Sequence, residues 1–300
     1  MPTTHHLASN AAPVRFELDS GTAEVQIITS DALDIAAIRI EAEGPQAEAA
    51  AKNATLIEIG GTVRLQIPAM SVVTSGNSTT VMSGNGNIYV RQTADVVDGE
   101  LTGVTIDGDG NVAIGGMVGG GASNRMRISV ALPKNADGIG PVVGVKSATG
   151  PVAIFGEYAH VVVESRTGSV FVESSEHVEI TTQTGSAEID NAGFAKVETR
   201  TGRVSLGTVT GKAVVRTQVG AVRVRLAADA RIETRTGPID VDMVTVAGSL
   251  ETQTGSIHAC TSTAKLSAKS RTGRISVIAD AGVDKSLIVA SSRTGGVTVQ

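Results

Sequence analysis

Apolar and polar residues alternate along most of this chain, in short runs separated by turn residues. In VRFELDS, Val14, Phe16 and Leu18 fall on one side of an extended backbone; in TAEVQIITS, Val25 and Ile27 do the same. A period of two marks a strand buried on one face. IAAIRIEAEG, TLIEIGG and TVRLQIPA continue the series, and MRISVALPKNADG, Met126 to Gly138, adds a strand and a turn. One stretch loses the period. PQAEAAAKNA, Pro45 to Ala54, is rich in Ala and Glu and opens on proline, which predicts a single short helix.

Beyond residue 145 the runs become a repeat. VESRTGSVFV begins at Val163, ITTQTGSAEI at Ile180, VETRTGRVSL at Val197 and VRTQVGAVRV at Val215; IETRTGPIDV, LETQTGSIHA, AKSRTGRISV and ASSRTGGVTV follow. The glycines are Gly150, Gly168, Gly185, Gly202, Gly220, Gly237, Gly255, Gly273 and Gly295, with spacings of 18, 17, 17, 18, 17, 18, 18 and 22. A unit this short cannot bury its own apolar face and must stack on its neighbours. The same residue type returns at the same place in each unit, so the stacking is in parallel register, with equivalent positions about 4.8 Å apart. The predicted fold is all-β: a single-stranded β-helix or solenoid of 17–18-residue coils, with one short helix near the N-terminus. Glycine supplies the φ > 0 that a tight turn demands.

Alternation assigns the faces. The interior set comprises Val163, Val172, Ile180, Ile189, Val197, Leu206, Val224, Ile232, Val241, Ile257, Ile275 and Val277. The two Thr flanking the Arg or Gln of each Thr-Gly turn join this inner face. The Arg or Gln points outward, building a column of Arg166, Gln183, Arg200, Gln218, Arg235, Gln253, Arg271 and Arg293. Charged and neutral members alternate through the first seven. Interleaved Gln sets like charges roughly 9.6 Å apart, about a Debye length at physiological salt. Glu164, Glu198, Glu233 and Glu251 stand two residues earlier on the same face, three of them beside an Arg of the same strand. The plainer reading is a solvated salt-bridge ladder, in which exposed pairs contribute about 0–1 kcal/mol each. The sharper reading is a linear site for a repetitive anion.

The remaining segments divide the chain. Residues 1–13 lack an alternating run and read as a flexible N-terminus; 14–69 form an N-terminal β region with the helix; 125–300 form the array. Residues 70–124 are rich in Gly, Asn, Ser and Thr, a composition that buries little apolar area and predicts partial order, with Gly115–Ser123 mobile. GNGNIYV at Gly84 and GDGNVAI at Gly108 are weakly alike, and either degenerate turns of the same architecture or a flexible insertion accounts for them.

Composition narrows the functional classes. There are 35 Gly, 2% aromatic residues and no Trp, which suits thin stacked β-structure better than a bulky enzyme core. The net charge is −5. From Lys146 onward 17 Lys/Arg face 15 Asp/Glu; before it the counts are 8 and 15. Neither half is basic enough for nucleic acid, and Phe155, Tyr158, Phe171 and Phe194 are too scattered to stack bases. Cys260 is alone, which excludes an intrachain disulfide and fits a reducing compartment. No export signal and no apolar run of spanning length is present, so a cytoplasmic protein without membrane insertion is expected.

Candidate chemistry is sparse. His160 and His177 lie one coil apart, but the next equivalent residue is Phe194, and a metal needs three or four ligands. Gly84-Asn85-Gly86 and Gly108-Asp109-Gly110 open no helix and so lack what makes a phosphate loop. Asp107 and Asp109 begin like a calcium loop, but position twelve is Val118 where Glu is required. Asp240 with Asp242, and Glu188 with Asp190, read as surface pairs. Cys260 reads as a small residue at a coil edge. No catalytic, metal or cofactor residue is assigned, and no enzyme activity is expected.

The opening RFELDSGTAEVQIITSDALDIAAIRIEAEG, the Ala/Glu helix with TVRLQIP, and the repeated T-x-T-G-x-V-x-V after MRISVALPKNADG resemble the bacterial putative-adhesin family, also called toast-rack proteins. The likeness covers about Val14 to Gln300 apart from the Gly/Asn-rich middle. Where the family often has Asp after the turn glycine, this chain has Ser, Arg, Ala, Pro or Gly. The resemblance implies a single-stranded β-helix-like fold, no known catalytic residues, and for some relatives a link to envelope stress. The expected function is a non-enzymatic scaffold or binding module, an accessory in an envelope or stress response. The alternatives are a self-assembling structural protein joined through its open ends, and a carbohydrate- or anionic-polymer-acting protein using the outer ladder. The expected partners are another protein, a second copy, or an anionic polymer, and not nucleic acid.

Overall fold

The structure, a computed structural model, describes residues 3–8, 14–69, 80–84, 87–91, 105–106, 112–113, 124–134, 140–263 and 265–300. The N-terminal region runs β1 (Thr3–Ala8), β2 (Arg15–Thr22), β3 (Glu24–Ser30), β4 (Ala37–Glu43), helix α1 (Pro45–Lys52), β5 (Thr55–Ile59) and β6 (Thr62–Ile67). Two antiparallel pairs, β7 (Thr80–Gly84) with β8 (Asn87–Arg91) and β9 (Thr105–Ile106) with β10 (Val112–Ala113), form sheets separate from the main one. Gly115–Ser123, Asp107 to Gly110, Asn85 and Gly86 lie outside the described residues.

The array continues as β11 (Arg125–Pro133) and β12 (Val142–Thr149). Six long strands follow: β13 (Val152–Thr167), β14 (Val170–Thr184), β15 (Ala187–Thr201), β16 (Val204–Val219), β17 (Val222–Thr236) and β18 (Ile239–Thr254). The last coils are shorter pieces: β19 (Ile257–Thr261), β20 (Leu266–Thr272), β21 (Ile275–Ala279), β22 (Val289–Thr294) and β23 (Val297–Val299). Each strand from β13 to β18 pairs in parallel with the next, residue on equivalent residue, as in Ile180↔Val197 and Val197↔Val215. The fold is a β-solenoid of about 9 coils spaced about 18 residues apart.

All twelve predicted interior residues are buried, at 0–2% exposure. The alternation that assigned them persists through each coil until a mid-coil bend, where the pairing register shifts, as between Ala192 and Ala195. Tyr158 fills the bend of its coil, fully buried, with its hydroxyl donating to the Phe155 carbonyl at 3.1 Å.

The N-terminal strands are coils of the same solenoid. β2 lies between β6 and β12, and β3 between β11 and β13, all in parallel. The chain therefore lays down an inner coil first, adds outer strands beyond it, and returns to its other side at β12. Antiparallel pairs finish that end: β5 on β6, and β4 between β11 and β1. Helix α1 packs Ala47, Ala50 and Ala51 into the core, with Pro45 in its first turn as predicted. One expectation is corrected. Thr3–Ala8, read as part of a loose N-terminus, is a strand paired with β4 throughout. An edge strand can be held by backbone hydrogen bonds with little apolar patterning of its own, and here Leu7 is packed against the core.

Candidate functional site

The Thr-Gly turn is a corner of each coil. Eight of the nine corner glycines have φ between +124° and +157°. A second constraint is tighter still. A Cβ at Gly202 would stand 1.8 Å from the Gly185 carbonyl oxygen, and from Gly168 to Gly295 every corner glycine would meet its predecessor within 1.8–2.2 Å. The coils thus close on one another at this corner, and the backbone ladder runs through it: Gly185 N–H donates to Thr201 O and Gly202 N–H to Val219 O.

Of the two Thr flanking the Arg or Gln, only the first points inward. Thr182, Thr199, Thr217, Thr234 and Thr252 are buried, whereas Thr184, Thr201, Thr236 and Thr254 are exposed. The expectation that both pack inside is corrected: the backbone already turns at the second, so strand alternation stops there. The inward residues stack from Ser20 through Ser147 and Ser165 to Ser270 and Ser292. At the C-terminal end their hydroxyls donate to the preceding corner carbonyl: Thr252 to Gly237 (3.2 Å), Ser270 to Gly255 (3.0 Å) and Ser292 to Gly273 (2.8 Å). From Ser20 to Thr234 the buried hydroxyls of this column have no partner among the described residues.

Two stretches of groove, each about 780 Å³, run beside this corner and meet at Thr181. The strand carrying the inward Ser/Thr column is the floor. One wall is the Arg/Gln column, whose eight members are all exposed. The other is the column two residues earlier, in the order Lys146, Glu164, Thr181, Glu198, Arg216, Glu233, Glu251, Lys269. Toward the N-terminal end the column of Arg/Gln gives way to Ala148 and Gly21, and Pro68 and Ala69 bound the groove.

The carboxylates of this second column pair within it or sideways, not with the Arg column. Lys146 meets Glu164 at 3.4 Å, Arg216 meets Glu198 at 3.7 Å and Glu233 at 3.9 Å, and Lys269 meets Glu251 at 3.8 Å. Lys196 adds contacts to Glu179 (3.5 Å) and Glu198 (3.9 Å). The sequence had placed Glu198 beside Arg200 and Glu233 beside Arg235. Two residues along a strand are about 6.7 Å apart and the neighbour on the next coil about 4.8 Å; Arg216 reaches both Glu198 and Glu233 from the coil between them, and the one cation two residues along that pairs here is Lys196, not Arg200. Arg166, Arg200, Arg235, Arg271 and Arg293 have no ion pair or hydrogen bond among the described residues. Their Gln neighbours cannot neutralise them. Along the longer stretch of groove six cationic side chains stand against three carboxylates, a net charge of +3. Sequence reasoning missed Lys196, Arg216 and Lys269: the signal for Arg216 and Lys269 was lateral register, whereas Lys196 stands both beside Glu179 on the preceding coil and two residues from Glu198 on its own strand.

Other candidates are placed elsewhere. His160, His177 and Phe194 stack in one column with ring centroids 5.8 Å apart. No group of three or more His, Cys, Asp or Glu among the described residues is placed to hold a metal ion. Asp242 pairs with Arg223 at 3.5 Å. Cys260 is half-buried, and its thiol is pushed above the usual thiol range by burial first, then by the carboxylates of Asp242, Asp240 and Asp280. Such a thiol stays protonated and unreactive at neutral pH. No helix among the described residues is long and apolar enough to cross a membrane.

No family model matches the chain, and no curated protein does. The chain is similar to several solved structures. One, described as a putative adhesin from Bacteroides fragilis, is 13% identical, with 99% of this chain and 97% of that one covered and a TM-score of 0.41. A putative adhesin from Parabacteroides distasonis is 9% identical over 99% and 96% of the two chains, with a TM-score of 0.46. A putative lipid binding protein from the same species is 11% identical over 99% and 96%, with a TM-score of 0.38. Two of these names match the family that the sequence resembles.

Proposed function

We propose that this chain is a non-enzymatic binding scaffold whose corner groove holds a linear anionic polymer. The observation that carries the reading is the aligned column of Arg166, Arg200, Arg235, Arg271 and Arg293, left without partners while the adjacent carboxylates are paired with other cations. Arg125, Arg203, Arg231 and Arg274 also have no ion pair or hydrogen bond among the described residues, but they stand in other columns and form no continuous row. Guanidinium is always charged and offers a planar fork to carboxylate, sulfate or phosphate. A rigid coil stack fixes the spacing of such forks before the ligand arrives, which lowers the ordering cost of binding.

The test is retention of the protein on an immobilised anionic polymer at low salt, with Arg200→Gln and Arg235→Gln combined in one variant. The scaffold reading expects earlier elution of the variant and salt-sensitive retention of the parent. Identical retention of the two proteins would remove the column from the binding face.

A further inference from the structure

We infer that the polymer is an acidic polysaccharide with one anionic group, carboxylate or sulfate, on every second sugar. The inference rests on the polymer-binding reading above and adds the charge period of the ligand. Arg166, Arg200, Arg235 and Arg271 are separated by the coils of Gln183, Gln218 and Gln253. With coils about 4.8 Å apart, the guanidinium groups recur every ~9.6 Å. An extended glycan of alternating acidic and neutral sugars repeats its charge on this scale, one disaccharide per two coils. Each neutral sugar then faces a Gln amide, which both donates and accepts and so suits hydroxyl and acetamide groups.

The competing polyanions do not fit this period. A nucleic-acid strand carries a phosphate about every 3.4 Å of axis, roughly three for each guanidinium. The surplus charges would lie against neutral Gln and opposite a wall in which Glu198, Glu233 and Glu251 outnumber Arg216 and Lys269. No aromatic residue lines either stretch of the groove, so bases would find no stacking platform. A polymer with a carboxylate on every sugar meets the same conflict, with alternate charges facing Gln. The opposite wall therefore acts against the denser polyanions and not merely for the sparser one.

The experiment is calorimetric titration of the full chain with size-defined oligomers, at one salt concentration and equal total charge. The probes are an alternating glycuronan with one carboxylate per disaccharide, a homopolymeric uronate, inorganic polyphosphate and single-stranded DNA. The alternating glycan is expected to bind at least about tenfold tighter than the others, an easily resolved difference. Its affinity should rise with length up to four disaccharides, one for each of Arg166, Arg200, Arg235 and Arg271. Replacing Gln183, Gln218 and Gln253 by Arg should shift the preference to the homopolymeric uronate. If the denser polyanions bind as tightly, and the Arg200→Gln, Arg235→Gln variant weakens them, the charge period is wrong while the polymer reading stands. If no probe binds, or the Arg variant binds all of them unchanged, both fail.

Discussion

Four exposed arginines of the N-terminal coils and the corner arginines of the repeat array are used in opposite ways. At the N-terminal end Arg15 meets Glu17 at 2.8 Å, Arg127 meets Glu24 at 3.1 Å, Arg39 pairs with Glu41, and Arg64 pairs with Glu17 and donates from Nε at 2.7 Å. In the array the corner arginines have Gln, Ala148 or another Arg as column neighbours, and the nearby carboxylates are engaged elsewhere. Both sets are exposed side chains on strands of one sheet, so the difference lies in sequence placement. A stack of coils lets one column be neutralised while the next keeps its charge: the column two residues before the corner carries both signs, and the corner column carries no carboxylate.

The comparison can be broken first at the corner. Gly202→Ala places a Cβ 1.8 Å from a carbonyl of the coil beneath, in a φ region that disfavours side chains. It should cost about 2–4 kcal/mol in denaturant unfolding, whereas Gly282→Ala, with open space around it at φ +94°, should cost only about 1 kcal/mol. Equal losses would mean that the corner glycine serves φ alone and not the close approach of coils.

The arginines provide the next contrast. Arg64→Gln should lower stability by about 1 kcal/mol because it strips Glu17 of its principal partner, while Arg200→Gln should leave stability unchanged or slightly raised. Arg64 holds the Glu17 carboxyl below its usual range through its hydrogen bond, with burial opposing and the charges of Arg64 and Arg15 assisting. A carboxyl depressed in the folded state contributes stability that is full above its ordinary pKa of about 4.5 and is lost as pH falls through the folded value. Acid unfolding below that point should therefore be less steep in Glu17→Gln than in the parent, and Arg200→Gln should not alter it.

The hydroxyl column allows a smaller test. Thr217 has no partner for its hydroxyl and Thr252 donates to Gly237. Thr217→Val should be neutral or stabilising, and Thr252→Val should cost about 1 kcal/mol. Least in energy is the Cys260 thiol, whose alkylation at neutral pH should be slow and should quicken in Asp242→Asn, since the carboxylate helps keep the thiol protonated.

The period of two and the recurring glycine made the solenoid, the interior column and the outward Arg/Gln column legible before any coordinates. Three things were hidden. The second Thr of each turn follows the corner rather than the strand, and alternation cannot announce where it stops. Arg216, the partner that Glu198 and Glu233 share, lies one coil from each, and a linear reading favours the arginine two places along. The insertion of β2 and β3 between later strands is a matter of topology, and residues 14–69 read on their own give no sign of it. The groove is therefore half legible: its charged wall is written in the repeat, and the fact that the other wall leaves that charge free is visible only in lateral register.

The most direct measurement follows the arginine Nε–H resonances while an alternating glycuronan oligomer is added. The account predicts that signals from Arg166, Arg200, Arg235 and Arg271 move together and saturably, while those of Arg15, Arg39, Arg64 and Arg127 stay in place. Movement spread evenly over both sets, or confined to the N-terminal one, would contradict it.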